Sequence, residues 1–357
     1  MVTRTDSAPV SVQVRETVDA RTWDDFVERH PLGTIYHSSP WQRVIQQTYG
    51  YLPLFFFLED SEGAIVGAIP SLYVQSWLTG KRIVAYPFSD SCDPLVANSG
   101  ELNTLLASLE QTRSHMKAAF YELRLQTPGL LGASPYTPHY FNYHLSLSPP
   151  LDDIFRSFHK NCIQRPIKAA EKGEVETRVS TSDSDLKVFY RLHTQTRRRQ
   201  GVPVQPFRFF RNLLATLVPH DMLRLFLAHH RGKCVAAIVV LRCGKRAYYK
   251  YGASDKASMP LKANQLIMWE AIRWAKQAGC NCFDFGRTSS SNEGLNQYKS
   301  RWGTERIPLQ YLQCPDSRKT KALDESSVQH AFITAMMTRL PAIMIRLIGE
   351  VSYKHFA

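Results

Sequence analysis

No stretch of this chain approaches the ~20 consecutive apolar residues that a membrane-spanning helix needs. The longest clean apolar runs, such as Val235 to Leu241, fall far short of it. The opening residues, MVTRTDSAPVSV, contain no apolar segment of the kind a secretory leader requires. The expectation is a protein that is neither exported by a standard signal nor integral to a membrane. Cysteine is present but unorganised. Cys92, Cys162, Cys234, Cys243, Cys280, Cys282 and Cys314 are an odd number, and their one close pair, Cys280-x-Cys282, has the spacing of neither a zinc ribbon nor a redox pair. They read as reduced thiols of a cytosolic protein. The twelve histidines, His229 and His230 among them, show no ligand spacing, so no metal site is expected. GxGxxG, Walker A, HExxH and GxSxG strings are all missing, which removes dinucleotide, P-loop, zincin and α/β-hydrolase chemistry.

What is present is a composition of ordinary globular type, with 44% hydrophobic, 11% aromatic and 21% charged residues. A length of 357 residues suits two α/β domains better than one. The net charge is +13 and unevenly spread: the 56 residues from Arg156 to Arg211 hold 13 Lys and Arg against 5 Asp and Glu. Such a segment predicts an anionic partner, whether tRNA, a nucleotide-linked precursor, CoA or an anionic bilayer, or else a solvated basic surface. A non-catalytic anion- or nucleic-acid-binding module is the reading from another class, although no helix-turn-helix, RRM or zinc pattern accompanies it.

The apolar periodicity orders the chain. A strand over Val12 to Val18 and a short helix over Trp23 to Glu28 precede a helix that Ser39 caps and Pro40 opens; Trp41, Val44, Ile45 and Thr48 share one face before Gly50 ends it. Strands follow at Leu54 to Leu58, Ala64 to Val74 and Arg82 to Tyr86, then a helix over Leu102 to Met116 and strands at Tyr121 to Gln126 and Tyr143 to Leu147. The second half runs through the same order. Helices at Ser182 onward and Phe207 to Leu217 lead to a strand meander over Leu223 to His229, Cys234 to Arg242 and Arg246 to Ala253. A helix then begins at Pro260 and closes at Gly279, and strands lie at Cys282 to Phe285 and Ile307 to Leu312. Boundaries are expected at residues 9–148, 149–314 and 315–357, the last a helical tail over Ser327 to Gly349 broken at Pro341. The tail's apolar residues, flanked by Arg339 and Arg346, allow two readings: packing on the first domain, or lying on a membrane surface as an amphipathic anchor.

One string is specific. Asp284-Phe285-Gly286-Arg287-Thr288, then Asn292-Glu293-Gly294-Leu295-Asn296-Gln297-Tyr298-Lys299 and Trp302-Gly303, resembles the late motif of FemAB-like peptidoglycan-bridge aminoacyltransferases and of related BioF2-like acetyltransferase domains. Tyr249-Lys250-Tyr251-Gly252, Lys262-Ala263-Asn264-Gln265 and Thr196 to Pro203 support it, and the resemblance covers most of residues 150–312. Asp-Phe-Gly also occurs in protein kinases, but no glycine-rich loop or His-Arg-Asp motif is present here. The resemblance implies an α/β fold of two tandem GNAT-like domains, each a mixed, mainly antiparallel sheet flanked by helices.

It also implies an acyl- or aminoacyl-transferase acting in the cytoplasm on a peptidoglycan or exopolysaccharide component. On the second reading of the tail, it would add a peripheral contact at the inner face of the membrane. Nothing would be permanently bound, and the co-substrate would be aminoacyl-tRNA or acyl-CoA. An acyl-CoA-dependent N- or O-acyltransferase of exopolysaccharide is the alternative enzyme. Within the resemblance Lys299 supplies positive charge to the oxyanion or donor ester, and Tyr298 lines the donor channel. Asp284 accepts the amine proton or holds Arg287 by an ion pair, and Arg287 meets a phosphate or carboxylate. Lys160, Arg165, Arg197 and Arg198 would contact an anionic ligand, of which the arginine run on one helix can direct only one or two. Lys250, Asn264, Asn292 and Trp302 complete the expected substrate and donor contacts. Two departures bear on the substrates. Ile45 follows Trp41-Gln42-Arg43-Val44 where several family members carry a lysine for a nucleotide diphosphate, which speaks against a nucleotide-linked acceptor. Ala257 to Lys262 replaces a glycine-rich CoA pyrophosphate loop, which speaks against a CoA donor and leaves aminoacyl-tRNA open.

Overall fold

A computed structural model describes residues 11–127, 130, 139–315 and 337–355. The chain forms two compact units. The first lies within Met1–Pro138, Leu309–Thr320 and His355–Ala357, the second within His139–Pro308 and Lys321–Lys354.

The described residues of the first unit form a sheet with three α-helices. Strand β1 (Ser11–Arg15) is followed by helices α1 (Ala20–Arg29) and α2 (Ser39–Tyr49), then by the antiparallel strands β2 (Leu52–Glu59), β3 (Ile65–Ser76) and β4 (Gly80–Val84). After α3 (Ser99–His115), strand β5 (Phe120–Leu125) returns parallel to β4. The capping residue of α2 is Ser38, not the expected Ser39. Ser38 Oγ accepts from the Trp41 amide, while Ser39 bonds through both its amide and its hydroxyl to the Asp24 carboxylate. Asp24 lies fifteen residues upstream, beyond the reach of a local capping rule.

The second unit repeats that order. It holds β6 (Tyr140–Ser146), α4 (Leu151–Ser157), α5 (Arg165–Lys172), β7 (Val175–Ser180), α6 (Asp183–Arg199) and α7 (Phe207–Leu217). The meander β8 (Leu223–His230), β9 (Lys233–Cys243) and β10 (Arg246–Ser254) comes next, then α8 (Ala263–Gln277) and β11 (Cys282–Asp284), parallel to β10. Every residue of β9 from Cys234 to Leu241 is buried, as a strand covered by helices on both faces must be. One layer is α5 with α8, whose Leu266, Ile267 and Ala271 share a core with Phe226, Ala236 and Ile238. The other is α6 with α7. Pro260 does not open α8: Met259–Leu261 makes a 3₁₀ turn, Lys262 adopts a left-handed conformation, and the helix begins at Ala263.

The halves depart from a simple tandem in their last strands. β6 pairs antiparallel with β11 in the second unit, whereas β13 (Glu305–Cys314) pairs through Gln310–Cys314 with β5 in the first. The strand expected to close the first domain therefore sits in the second sheet, and the strand expected to finish the second reaches into the first. Alternating apolar patterns fix which face of a strand is buried, not which edge it joins.

Beyond β11 lie the short strand β12 (Thr288–Ser289), which pairs with β6, and α9 (Glu293–Ser300). Of the tail, Ser327–Met336 lies outside the described residues. After Pro341, α10 (Ala342–Ser352) packs on α6 within the second unit, whereas His355 at the end of the tail belongs to the first unit, its carbonyl accepting from Thr79 and Arg82 and its ring bonded to the Ser76 hydroxyl. No helix among the described residues is long and apolar enough to cross a membrane.

Candidate active site

Strands β10 and β11 are hydrogen-bonded over Arg246–Tyr248 and Cys282–Asp284 only, yet β10 runs on to Ser254. Past Tyr248 and Asp284 the two parallel strands part. The carboxyl ends of parallel strands are where α/β sheets open to ligands, because backbone groups there lack ladder partners. A bulge in β10 between Tyr249 and Tyr251 falls at this point. It turns the strand so that Tyr249 packs toward the α8 core while the Tyr251 ring sits edge-on to Phe209, Phe210 and His193 on the opposite face. Lys250 is the extra residue of the bulge, half-buried at the opening.

The turn that follows β11 is held from both sides. Asp284 is 3% exposed; its Oδ1 accepts from the Gly286 amide at 2.7 Å and its Oδ2 from Asn142 Nδ2 at 3.0 Å, with His144 Nε2 at 3.3 Å. Asn142 and His144 alternate along β6 and project to one face, and Tyr143 to the other. From the Tyr143 side comes Lys299, 4% exposed, whose Nζ donates to Gly286 O at 2.6 Å and Arg287 O at 3.2 Å and lies 5.7 Å from the Tyr143 ring centroid. The amide and carbonyl of Gly286 are thus fixed by opposite charges. Gly286 has φ +73°, a left-handed conformation that a side chain disfavours. A buried ammonium is tolerable because carbonyl oxygens replace its water, and in that low-polarity setting its field extends further than on a surface.

Helix α9 delivers Tyr298 and Lys299 to this turn. Asn292 caps it, accepting from the Leu295 amide, and Asn296 ties it to β6 by accepting from the Tyr143 hydroxyl at 2.8 Å. Tyr298 is half-buried, and burial beside Tyr249 pushes its hydroxyl well above the usual range, so it stays neutral. Trp302 is fully buried among Phe158, Phe285 and Tyr298, which makes it a support of the turn and not a ligand contact.

The remaining expected contacts scatter. Arg287 is exposed, its guanidinium 4.4 Å from the centroid of the Tyr140 ring. Asn264 is half-buried in the first turn of α8. Lys160, on a π-turn over Lys160–Gln164, and Arg165, at the start of α5, are exposed. Arg197 bonds the Pro203 carbonyl and the Tyr353 hydroxyl, and Arg198 follows it on α6, in the other helix layer. The basic segment therefore does not form one patch: Lys160 and Arg165 are separated by the sheet from Arg197 and Arg198. Its sequence order follows the chain through both layers. Two clefts of the second unit, of about 460 and 400 Å³, are lined by residues other than these turn residues. Among the described residues no group of three or more His, Cys, Asp or Glu is placed to hold a metal ion. Sequence reasoning missed Asn142 and His144. The available signal was two polar residues alternating in a strand between buried apolar ones.

Residues 156–300 match the family described as "Acetyltransferase (GNAT) domain". Over 313 residues the chain is 24% identical to the UDP-N-acetylmuramoylpentapeptide-lysine N(6)-alanyltransferase of Weissella viridescens, a match covering 78% of this chain and 87% of that protein. The crystal structure of FemX superposes with a TM-score of 0.68 at 17% identity, covering 84% of this chain and 96% of the other. The chain carries a GNAT acyltransferase domain and is FemAB-like over most of its length. A tandem GNAT protein from the clavulanic acid biosynthesis pathway shares the fold at a TM-score of 0.52 and 12% identity, over 87% of this chain and all of that one. In this FemAB-like chain the matched GNAT stretch contains Asp284 and Lys299 but not β6. Asn142 and His144 therefore reach the turn from outside it.

Proposed function

We propose that this FemAB-like chain transfers an aminoacyl group from an aminoacyl-tRNA ester to an amine of a peptidoglycan precursor. The observation that carries the reading is the similarity along 87% of an alanyltransferase named for a lysine N(6) acceptor. The geometry supports it chemically. The donor ester enters where β10 and β11 part, and the amine attacks its carbonyl carbon. The new C–N bond forms, the ester C–O bond breaks, and the ribose oxygen leaves with a proton. In this reading His144, backed by the Asp284 carboxylate, takes the proton from the attacking amine and returns it to the leaving oxygen. Lys299 acts as a buried cation that fixes the Gly286–Arg287 turn and biases the local field toward a developing oxyanion. Arg287 and Lys250 meet the anionic donor at the mouth.

The expected argument against a nucleotide-linked acceptor loses force, because Ile45 is completely buried and forms part of the core of the first unit. A CoA thioester is the second reading, favoured by the acetyltransferase description of residues 156–300. The test is transfer of labelled amino acid from charged bulk tRNA, or of labelled acyl group from acyl-CoA, to UDP-N-acetylmuramoylpentapeptide and to its lipid-linked form. RNase-sensitive labelling of either acceptor is expected, with His144→Gln reducing kcat ~10²-fold. Transfer from acyl-CoA alone would overturn the tRNA reading, and an unchanged rate for His144→Gln would remove the proposed base.

A further inference from the structure

Helix α10 presents its apolar residues outward. Ile343, Leu347 and Val351 recur every fourth residue, and with Met344 they are 67%, 59%, 63% and 43% exposed. Only Ile345 and Gly349 of this helix are buried. The opposite orientation is blocked: a Cβ at Gly349 would stand 1.9 Å from the Val204 carbonyl oxygen, so the helix backbone rests directly on that loop. Rolling the helix to hide Ile343 or Leu347 would drive a branched side chain into that carbonyl. A surface helix held this firmly with an aliphatic ridge outward is built to bury the ridge elsewhere.

The surroundings say in what. Beside the ridge a cleft of about 460 Å³ is lined by Tyr190, Phe207, Ile343 and Leu347, with Lys187 and Arg346 among its charged residues. Glu350, its acidic residue, is occupied by Arg208 at 3.2 Å. The helix packs on α6, and residues 183–217, which span α6 and α7, carry seven Lys and Arg against two Asp. Both are paired, Asp185 with Arg178 and Asp183 with Lys187 at 2.8 Å. An aliphatic ridge without polar recognition groups, next to an apolar slot and an excess of cations, matches acyl chains under anionic headgroups.

We propose that α10 docks the second unit onto an anionic phospholipid bilayer. Ile343, Leu347 and Val351 enter the headgroup boundary while Arg346 meets lipid phosphates. This stands independently of the donor and acceptor proposed above. The test is flotation of the full chain with phosphatidylcholine vesicles, with and without phosphatidylglycerol, at low and high salt, for wild type and for Ile343→Asp/Leu347→Asp. Both substituted side chains are exposed, so unchanged circular dichroism and melting serve as the folding control. Wild type is expected to float with the anionic vesicles and to be released in part by salt, and the double variant to bind at least ~10-fold less. Its transfer rate with a soluble acceptor should be unchanged. Failure of wild type to float, or equal flotation of the double variant, would overturn the proposal. So would a wild-type dimer in light scattering that the double variant dissolves, which would assign the ridge to a second copy of this chain.

Discussion

Lys299 joins two requirements that usually conflict: its charge is buried, yet two carbonyls of the turn beside the proposed reaction site satisfy it. Lys299→Met removes the donor and leaves both carbonyls desolvated, a loss of ~1–3 kcal/mol. It should lower kcat by ~10²-fold or more while leaving the acceptor KM within a few-fold. Steady-state kinetics with Lys299→Arg alongside checks this: recovery by arginine would mean that charge alone suffices, whereas the fixed turn calls for the slender ammonium. The motif made Lys299, Tyr298 and Asp284 legible, because they are close in sequence. His144 and Asn142 were not, because their proximity to Asp284 exists only through the pairing of β6 with β11.

Two fully buried histidines contribute to the response to acid. His37 and His193 are fully enclosed, and burial lowers them to about 4 and about 3, with Arg197 adding to the effect at His193. In the unfolded chain each takes up a proton near the ordinary histidine value of ~6.5. Unfolding therefore binds protons between that value and the folded one, and stability is full above it and falls as pH drops. Each histidine contributes at most ~1.4 kcal/mol per pH unit in that window. Denaturant titrations from pH 7.5 to 4.5 should show the decline, and His193→Phe should flatten it by about one proton. A slope unaffected by that substitution would refute the assignment.

At the level of elements, helices with local signals were read well and those with distant partners were not. The Ser182 cap of α6 and the glycine that ends α2 follow local chemistry. The start of α8 escaped because Lys262, not glycine, adopts the left-handed turn there, and the Ser38 cap because Asp24 claims Ser39. The seat of α10 rests on a close approach that no periodicity reveals. Gly349→Ala should lift the helix from Val204 at a cost of ~1–3 kcal/mol. Hydrogen exchange of the α10 amides would then quicken by at least ~10-fold, while the β8–β10 amides stay protected. Equal protection of α10 in the variant would show that the loop yields instead.

For the molecule as a whole, element order revealed two similar halves but not their crossed final strands. A cut at the Ser148-Pro149-Pro150 boundary would strip β6 from the second sheet and leave β11 as an open edge. A fragment beginning at His139 keeps that strand. The longer fragment is expected to be soluble and monomeric, and one beginning at Pro149 to aggregate, as size-exclusion chromatography would show. Comparable behaviour of the two would mean that β6 is dispensable to the sheet.

The crossing also sets a timetable at the ribosome. Residues Phe120–Leu125 leave the exit tunnel long before residues 310–314, their ladder partners, have been translated. At ~5–20 residues per second the first sheet waits on the order of ten seconds or more with β5 unfinished. The amino-terminal half cannot mature as an independent early domain, and its completion coincides with synthesis of the motif that carries Lys299. A truncated product that stops before that motif thus lacks both the clamp and the last strand of the first sheet, leaving an incomplete chain open to quality-control proteolysis.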